Sequence, residues 1–407
     1  MARKLAVALS VCMLALLVGL AVHVQAQTVR IPNAQNIDTD YHQVAATLKI
    51  GAQAPDFTLS GTDGKLHSLK DYASAKVLVV VFICNHCPIA QLYEQRIKEL
   101  AAANQDRGVA LIAINPNDPK AVKWSEQRHS DSRDALSEMT VRAAARHFNF
   151  PYLSDADPLA LQAVSKQFGA VATPHIFIFD QDRKLRYQGR IDNNQREESI
   201  TKHDARDAVE ALLAGKPVEA ETTPITGCVV KWANTESAAT VEIEKAYQEP
   251  VTLQIADAAQ IREVRKNATK KVVLVNVWAT WCEPCVREFQ ATQKIFLHYR
   301  RREFDVVTVN IDSPLRKDAA LAFLKDQHAI GRNYLFTAAN PEELTSALGV
   351  PSWRGGLPET VLLGLNGEVL YSKEGAVNIL DLRHTILKNL SDDLGRGGAK
   401  AYWNSHF

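Results

Sequence analysis

Two α/β domains in tandem, each a central mixed β-sheet flanked by helices, are the fold class this sequence predicts. Three observations lead there. The chain has 407 residues, enough for two hydrophobic cores. Two β-branched apolar runs, Val77-Leu78-Val79-Val80-Val81-Phe82-Ile83 and Val272-Val273-Leu274-Val275-Asn276-Val277-Trp278, each stop at a Cys-x-x-Cys pair. Runs of this kind suit strands buried on both faces of a sheet. The order of strands and helices that follows each pair is then shared between the two blocks.

In the first block, Cys84-Asn85-His86-Cys87 opens a helix over 89–104, and a strand follows over 109–115. The stretch 116–150 is rich in Lys, Arg, Asp and Glu, so it reads as an insertion with a solvated helical face. A helix near 159–168 and a Thr173-Pro174 step lead into strands at 176–180 and 185–187, then a helix at 205–213. In the second block, Cys282-Glu283-Pro284-Cys285 opens a helix over 286–300. A strand at 305–311, a helix at 319–327 and a Leu357-Pro358 step follow, then strands at 360–365 and 369–372 and a helix at 380–390. Pro and Gly punctuate 214–240, which reads as the link between blocks. Domain limits of 46–235 and 236–395 result, with a lead-in at 27–45 and a flexible tail at 396–407.

The first 26 residues have the form of a secretory signal: Arg3 and Lys4, an apolar stretch from Leu5 to Val22, then Val24-Gln25-Ala26 before the expected cut. An uncleaved anchor is the alternative reading of that stretch. Either way the remainder is expected outside the cytoplasm, periplasmic or extracytoplasmic. Formal net charge is +1, which leaves no electrostatic footprint for nucleic acid. Of the six cysteines, Cys12 departs with the signal, four form the two close pairs, and Cys228 is left single. An exported protein stapled by disulfides would show more cysteines at wider spacing, so redox or metal chemistry is indicated instead.

The redox reading rests on thiol chemistry. A cysteine at a helix N-terminus meets unpaired N–H groups and the helix dipole, both of which favour the thiolate. A second cysteine one turn on can attack a mixed disulfide and release the client. By that logic Cys84 and Cys282 attack, and Cys87 and Cys285 resolve. His86, beside the resolving cysteine, can stabilise a thiolate and so make the first disulfide the stronger oxidant; Glu283-Pro284 offers no such cation. Electrons would then pass from the second site to the first if the two meet, and the alternative is two sites serving separate partners. Other readings of the pairs are inert short-loop disulfides, and a soft metal site at Cys84, His86 and Cys87, although four zinc ligands are not found at suitable spacing. Cys228 is expected to be a buried small hydrophobe, with a relay thiol or an intermolecular link as alternatives. Trp232 and Trp403 are expected to pack.

Trp278-Ala279-Thr280-Trp281-Cys282-Glu283-Pro284-Cys285 resembles the thioredoxin family, in particular its exported TlpA/ResA-like branch, over about residues 245–392. That resemblance implies roles for Trp281 before the attacking cysteine, for Glu288 in proton transfer, and for Pro358 as a cis-proline facing the disulfide. Ala54-Pro55-Asp56-Phe57-Thr58-Leu59, Phe82-Ile83-Cys84-Asn85-His86-Cys87-Pro88 and Thr173-Pro174 resemble the redoxin (AhpC/TSA) side of the superfamily over about 48–232. Pro174 is the matching cis-proline. Peroxiredoxins carry a threonine three residues before the reactive cysteine, and Val81 stands there instead. The expected protein is therefore a thiol–disulfide oxidoreductase acting on client proteins with cysteines or disulfides. It would be fed by an upstream donor such as a membrane thiol reductase, and needs no cofactor beyond its cysteines. A thiol peroxidase with a built-in reducing domain, and a metal carrier, are the competing functions.

Overall fold

The computed structural model describes residues 46–156, 161–337 and 341–390. The expected signal, lead-in and tail, with Cys12 and Trp403, lie outside the described residues. In chain order the first half holds β1 (Thr58–Gly61), β2 (Leu66–Ser68), β3 (Val77–Phe82), α1 (Pro88–Asn104), β4 (Val109–Asn115), α2 (Leu136–Ala145), β5 (Tyr152–Ser154) and α3 (Ala163–Phe168). It continues with β6 (Ala172–Thr173), β7 (His175–Phe179), β8 (Leu185–Gly189), α4 (Asp204–Leu213) and β9 (Cys228–Val229). The second half holds α5 (Glu236–Tyr247), β10 (Gln254–Ala256), α6 (Ala258–Lys266), β11 (Val272–Trp278), α7 (Glu283–Tyr299), β12 (Phe304–Asn310) and α8 (Lys317–Asp326). Then come β13 (Arg332–Phe336), α9 (Pro341–Leu348), β14 (Glu359–Leu363), β15 (Val369–Glu374) and α10 (Ile379–Asn389).

Two mixed sheets result, ordered β2-β1-β5-β4-β3-β7-β8 and β10-β13-β12-β11-β14-β15. In each, the strand that ends at the Cys-x-x-Cys pair has a parallel neighbour on one side (β4 or β12) and an antiparallel one on the other (β7 or β14). The alternation of side chains explains why these strands are apolar throughout. Val77, Val79 and Val81 of β3 pack into one core with Tyr93 and Ile97 of α1. Leu78, Val80 and Phe82 enter the opposite core with Phe168 and Phe177. On β11, Val273, Val275 and Val277 face the α6 and α9 side, while Val272 and Leu274 face Ile295 of α7 and Ile386 of α10. Both expected proline steps, Thr173-Pro174 and Leu357-Pro358, are cis. Among the described residues no helix is long and apolar enough to cross a membrane.

Two segments differ from expectation. The charged insertion is not a solvated face. Ser130, Ser132, Asp134, Arg142 and Gln127 are buried in it, because its charges are paired inward. Arg142 bridges Glu94 of α1 at 2.8 Å and Asp131 at 3.1 Å. The stretch 214–240 is also more than a linker. β9 pairs with β6, the Lys231 N–H donates to Asn117 Oδ1 at 2.8 Å, and Trp232 is buried.

The insertion joins the two halves. Trp124 packs on Ala246 and Leu297. Buried His298 near the end of α7 donates from Nε2 to the carbonyls of Gln127 at 2.6 Å and Ser130 at 3.0 Å. The Tyr299 hydroxyl donates to Ser130 O at 2.9 Å. Arg383 and His384 of α10 pair with Glu138 at 3.0 Å and Asp131 at 3.2 Å.

Burial, with Arg383 and Arg133 close by, pushes the His298 pKa down to about 3 from 6.5. The native state thus binds one proton fewer than the unfolded chain between those values, so stability falls as pH drops through that window. Between pH 6.5 and 4 the expected loss from this group is on the order of 3 kcal/mol. Urea unfolding across that range should show a flatter pH slope in His298→Gln than in the parent. An unchanged slope would remove His298 as the acid-sensitive contact.

Candidate functional site: two dithiol centres

Cys84 follows β3 at the C-terminal end of the sheet, and the loop to Cys87 is clamped from all sides. Asn85 is its anchor. Its N–H donates to Asp134 Oδ1 at 2.7 Å, its side-chain amide donates to Arg133 O at 2.6 Å, and its Oδ1 accepts from Tyr152 at 3.1 Å. The Asn85 carbonyl accepts from Gln91 at 2.7 Å and from the Ser130 hydroxyl at 3.0 Å. His86 is buried, and its Nδ1–H donates to Asp134 Oδ2 at 2.5 Å. Burial opposes the imidazolium, but the Asp134 carboxylate outweighs it and raises the His86 pKa. The reciprocal attraction holds Asp134 below the usual carboxylate range despite its burial.

The two cysteines are not equivalent. α1 begins after Cys87, whose sulfur caps the helix by accepting the Ala90 N–H at 3.4 Å. The expectation that the first cysteine of the pair sits at the helix N-terminus therefore fails here, because the turn through Asn85 and His86 delays the helix. Burial alone would raise the Cys87 pKa. The neighbouring Cys228 and Cys84 thiols, the His86 charge and the Ala90 N–H reverse this and hold it well below the ordinary thiol value. Cys84 moves the other way, raised by burial, by the neighbouring Cys87 and by the Asp134 charge. Both sulfurs also meet the residue before the cis-proline. Cys84 Sγ lies 3.0 Å from Thr173 Oγ1, and the Cys87 thiol donates to Thr173 O at 3.2 Å.

Cys84, His86 and Asp134 form the one grouping of metal-type donors among the described residues, with ligand atoms within 4.8 Å of one another. The donor set is spent on hydrogen bonds. Asp134 accepts from the N–H groups of Asn85 and His86, from His86 Nδ1 and from Asn117 Nδ2 at 3.0 Å, which fills its acceptor sites. The geometry is that of a histidine oriented and charged by a carboxylate.

The second site follows expectation more closely. Cys282 caps α7, and a disulfide joins it to Cys285. Trp281 stands 61% exposed beside it. Thr280 is tied to Asp312 through its N–H and its hydroxyl, both at 3.1 Å. Leu357, before the cis-proline Pro358, packs on the cluster that contains both cysteines, Trp278 and Phe289. Glu288 is half-buried; its Oε2 accepts the Val377 N–H at 2.9 Å, and burial still pushes its carboxyl up.

Of the residues singled out in the sequence, Cys84, His86, Cys87 and Pro174 lie together at the end of β3, and Trp281, Cys282, Cys285 and Pro358 at the end of β11; Glu288 lies on α7 and is held by Val377. Four more belong with them. Asp134 comes from the insertion, and nothing in its sequence context marks it. Thr173, before the cis-proline, meets both sulfurs of the first centre. Glu359 follows Pro358, is fully buried, accepts from the Ser372 hydroxyl at 2.8 Å and has its carboxyl raised by burial. Cys228, expected to be buried, is half-buried and packs against the cluster that holds Cys84 and Cys87.

Residues 50–188 match the AhpC/TSA family and residues 251–385 match the Redoxin family. The thiol-disulfide oxidoreductase ResA of Geobacillus kaustophilus is 29% identical over 115 residues, covering 28% of this chain and 61% of its own. The thiol:disulfide interchange protein CycY of Rhizobium leguminosarum is 28% identical over 127 residues, covering 31% of this chain and 62% of its own. The chain thus spans under two thirds of the length of these curated relatives. A solved structure of a hypothetical protein from Sinorhizobium meliloti is 33% identical, with a TM-score of 0.41, and covers 46% of this chain and 97% of that one. The fold and the two family matches place the chain in the thioredoxin superfamily. Within it, the chain is a tandem of an AhpC/TSA-type domain and a Redoxin-type domain.

The electrostatics give a signed prediction. Asp134→Asn removes the charge that keeps His86 protonated, so His86 becomes neutral at lower pH and Cys87 loses its neighbouring cation. The pH midpoint for alkylation of Cys87, followed by peptide mapping, should move up by about one unit. A midpoint that stays put or falls would show that the pair does not set Cys87 reactivity.

Proposed function

We propose that this chain is an exported protein thiol–disulfide oxidoreductase that exchanges disulfides with cysteine-containing client proteins at two centres, Cys84–Cys87 and Cys282–Cys285. The observation that carries the reading is the repeated arrangement of a dithiol at the end of a buried strand, a helix N-terminus under one sulfur and a cis-proline beside it. The names of ResA and CycY agree with it. Residues 1–26 support export. The limits 46–235 and 236–395 divide the work between the two domains.

At the second centre the reduced Cys282 thiolate attacks a client disulfide, forming a mixed disulfide and releasing one client thiol. The Cys285 thiol gives its proton to Glu288, whose raised pKa suits it to hold one. Cys285 then attacks Cys282 Sγ. The Cys282–Cys285 bond forms, the second client thiol leaves, and the client gains the two electrons the dithiol loses. An upstream dithiol donor, such as a membrane thiol reductase, returns the centre to its reduced form. Exposed Trp281 offers an apolar platform for the client segment, and the backbone beside Pro358 aligns it.

At the first centre the charged His86 stabilises a thiolate and so favours the reduced state. Its disulfide is therefore the stronger oxidant, and electrons run from Cys282–Cys285 towards Cys84–Cys87 where the two exchange. A peroxidase reading draws support from the AhpC/TSA match, but Val81 lies buried in β3 where a peroxide-orienting threonine is needed.

The test uses the full chain with either Cys84→Ser/Cys87→Ser or Cys282→Ser/Cys285→Ser. Each remaining dithiol is equilibrated in glutathione or dithiothreitol buffers, and turnover of a disulfide-bonded protein is followed. Both centres should titrate, with Cys84–Cys87 at least about 30 mV higher, a tenfold difference in equilibrium constant. Peroxide consumption without disulfide exchange would replace the reading with the peroxidase. Absence of both activities would end it.

A further inference from the structure

A third sulfur sits in the first centre that a two-cysteine motif does not account for. β6 and β9 form a two-stranded ribbon in which Cys228 lies across from Thr173. Gly227 lets the strands come this close, since a Cβ there would collide with the Thr173 carbonyl. Thr173 is the residue that both Cys84 and Cys87 already contact. Cys228 itself packs against the core cluster that holds Cys84 and Cys87, so three sulfurs gather around Thr173. Of the three, Cys84 and Cys87 are buried and Cys228 is partly exposed. A client sulfur approaching from solvent meets Cys228 first.

We propose that Cys228 is a third redox cysteine of this centre, forming with Cys87 a second disulfide that interconverts with Cys84–Cys87 and carries exchange to the surface. The inference rests on the reading of Cys84–Cys87 as a redox pair. Sulfurs gathered at one residue in this way need only a local shift to reach the roughly 2 Å of a disulfide bond. In the first step the Cys228 thiolate attacks Cys87 Sγ of the Cys84–Cys87 disulfide. The Cys87–Cys228 bond forms, the Cys84–Cys87 bond breaks, and Cys84 leaves as a thiolate that takes up the proton Cys228 gave up. Two sulfurs are oxidised before and after, so no outside oxidant or reductant enters.

In the second step a client thiolate attacks Cys228 Sγ. Cys87 leaves, and it is the best leaving group of the three because its thiolate is the most stabilised. The client's second thiol then attacks its own sulfur in the mixed disulfide, giving the oxidised client and a Cys228 thiol. The client loses the two electrons the centre gains.

The experiment uses the full chain carrying Cys282→Ser/Cys285→Ser, so that one centre remains. Cys84→Ser is added, the protein is equilibrated with glutathione disulfide and alkylated, and its peptides are mapped. An internal Cys87–Cys228 crosslink that titrates reversibly is expected. Glutathione adducts on Cys87 and Cys228 with no crosslink, in protein with parental near-ultraviolet circular dichroism, would overturn the proposal. Should Cys84→Ser fail to fold, the parent is acid-quenched part-way through oxidation, and absence of the Cys87–Cys228 peptide beside the Cys84–Cys87 one overturns it equally. A Cys228→Ser variant should keep the Cys84–Cys87 crosslink but exchange with a dithiol peptide about tenfold more slowly; the parental rate would count against the role. A parent in which Cys84–Cys87 never oxidises while Cys84→Ser still crosslinks would sink the two-cysteine reading and overturn the interconversion with it, leaving Cys87–Cys228 as the pair.

Discussion

The buried contact between His86 and Asp134 is the constraint on which the first centre and the union of the two domains both depend. Burying a carboxylate beside an imidazolium is favourable only if each finds its full set of partners. Asp134 finds them by accepting from the backbone N–H groups of Asn85 and His86 and from Asn117. That need draws the whole 116–135 segment down over the Cys-x-x-Cys loop. Once there, the same segment turns its other carbonyls outward. Gln127 and Ser130 receive His298 and Tyr299 from the second domain. Ser130 shows the double duty most plainly: its hydroxyl holds the Asn85 carbonyl of the first centre, while its own carbonyl holds α7. A single polar contact thus sets thiolate stability in one domain and the docking face offered to the other.

The two centres apply the same helix-terminus physics to different sulfurs. At the second, the cap is the first cysteine, Cys282, and the carboxyls of Glu288, on the same helix, and Glu359, after the cis-proline, are pushed up by burial. At the first, the cap is the second cysteine, Cys87, and the nearby titratable pair is an ion pair that supplies a fixed cation. Proton-transfer carboxyls suit a dithiol that must ionise during each reductive turn. A fixed cation suits a dithiol whose thiolate is to persist. The difference in neighbours, more than the shared motif, separates the two chemistries.

Much of this was legible in the sequence because it depends on local signals. β3 and β11 announce themselves as unbroken β-branched runs, and the pairs at their ends mark where a thiol meets a helix. The cis steps at Pro174 and Pro358 were legible through family resemblance. What escaped reading is non-local. Asp134 belongs to a charged stretch that looks solvated until Arg142 is seen to turn inward to Glu94. β1 and β2 are too short for their periodicity to stand out, and they form by pairing with each other and with β5. The cap at Cys87 rather than Cys84 depends on how the Asn85 loop is clamped by four separate segments, which no spacing rule encodes.

Cys228 joins these two lessons. In the sequence it is a single cysteine after a glycine, some 140 residues beyond its partners, and a small hydrophobe is the economical reading. The ribbon of β6 with β9 overrides that reading, because Gly227 allows the chain to press against Thr173 at the one place where both motif sulfurs also point. A buried dithiol in a clamped loop has a stable thiolate but poor access. Raising access by loosening the loop would cost the His86–Asp134 contact and, through Ser130, the seating of the second domain. A third sulfur entering from the opposite strand avoids that conflict, because it reaches solvent without moving the clamp. On the proposed reading, the position of Cys228 lets a buried, thiolate-stabilising centre exchange disulfides while the inter-domain contact stays intact.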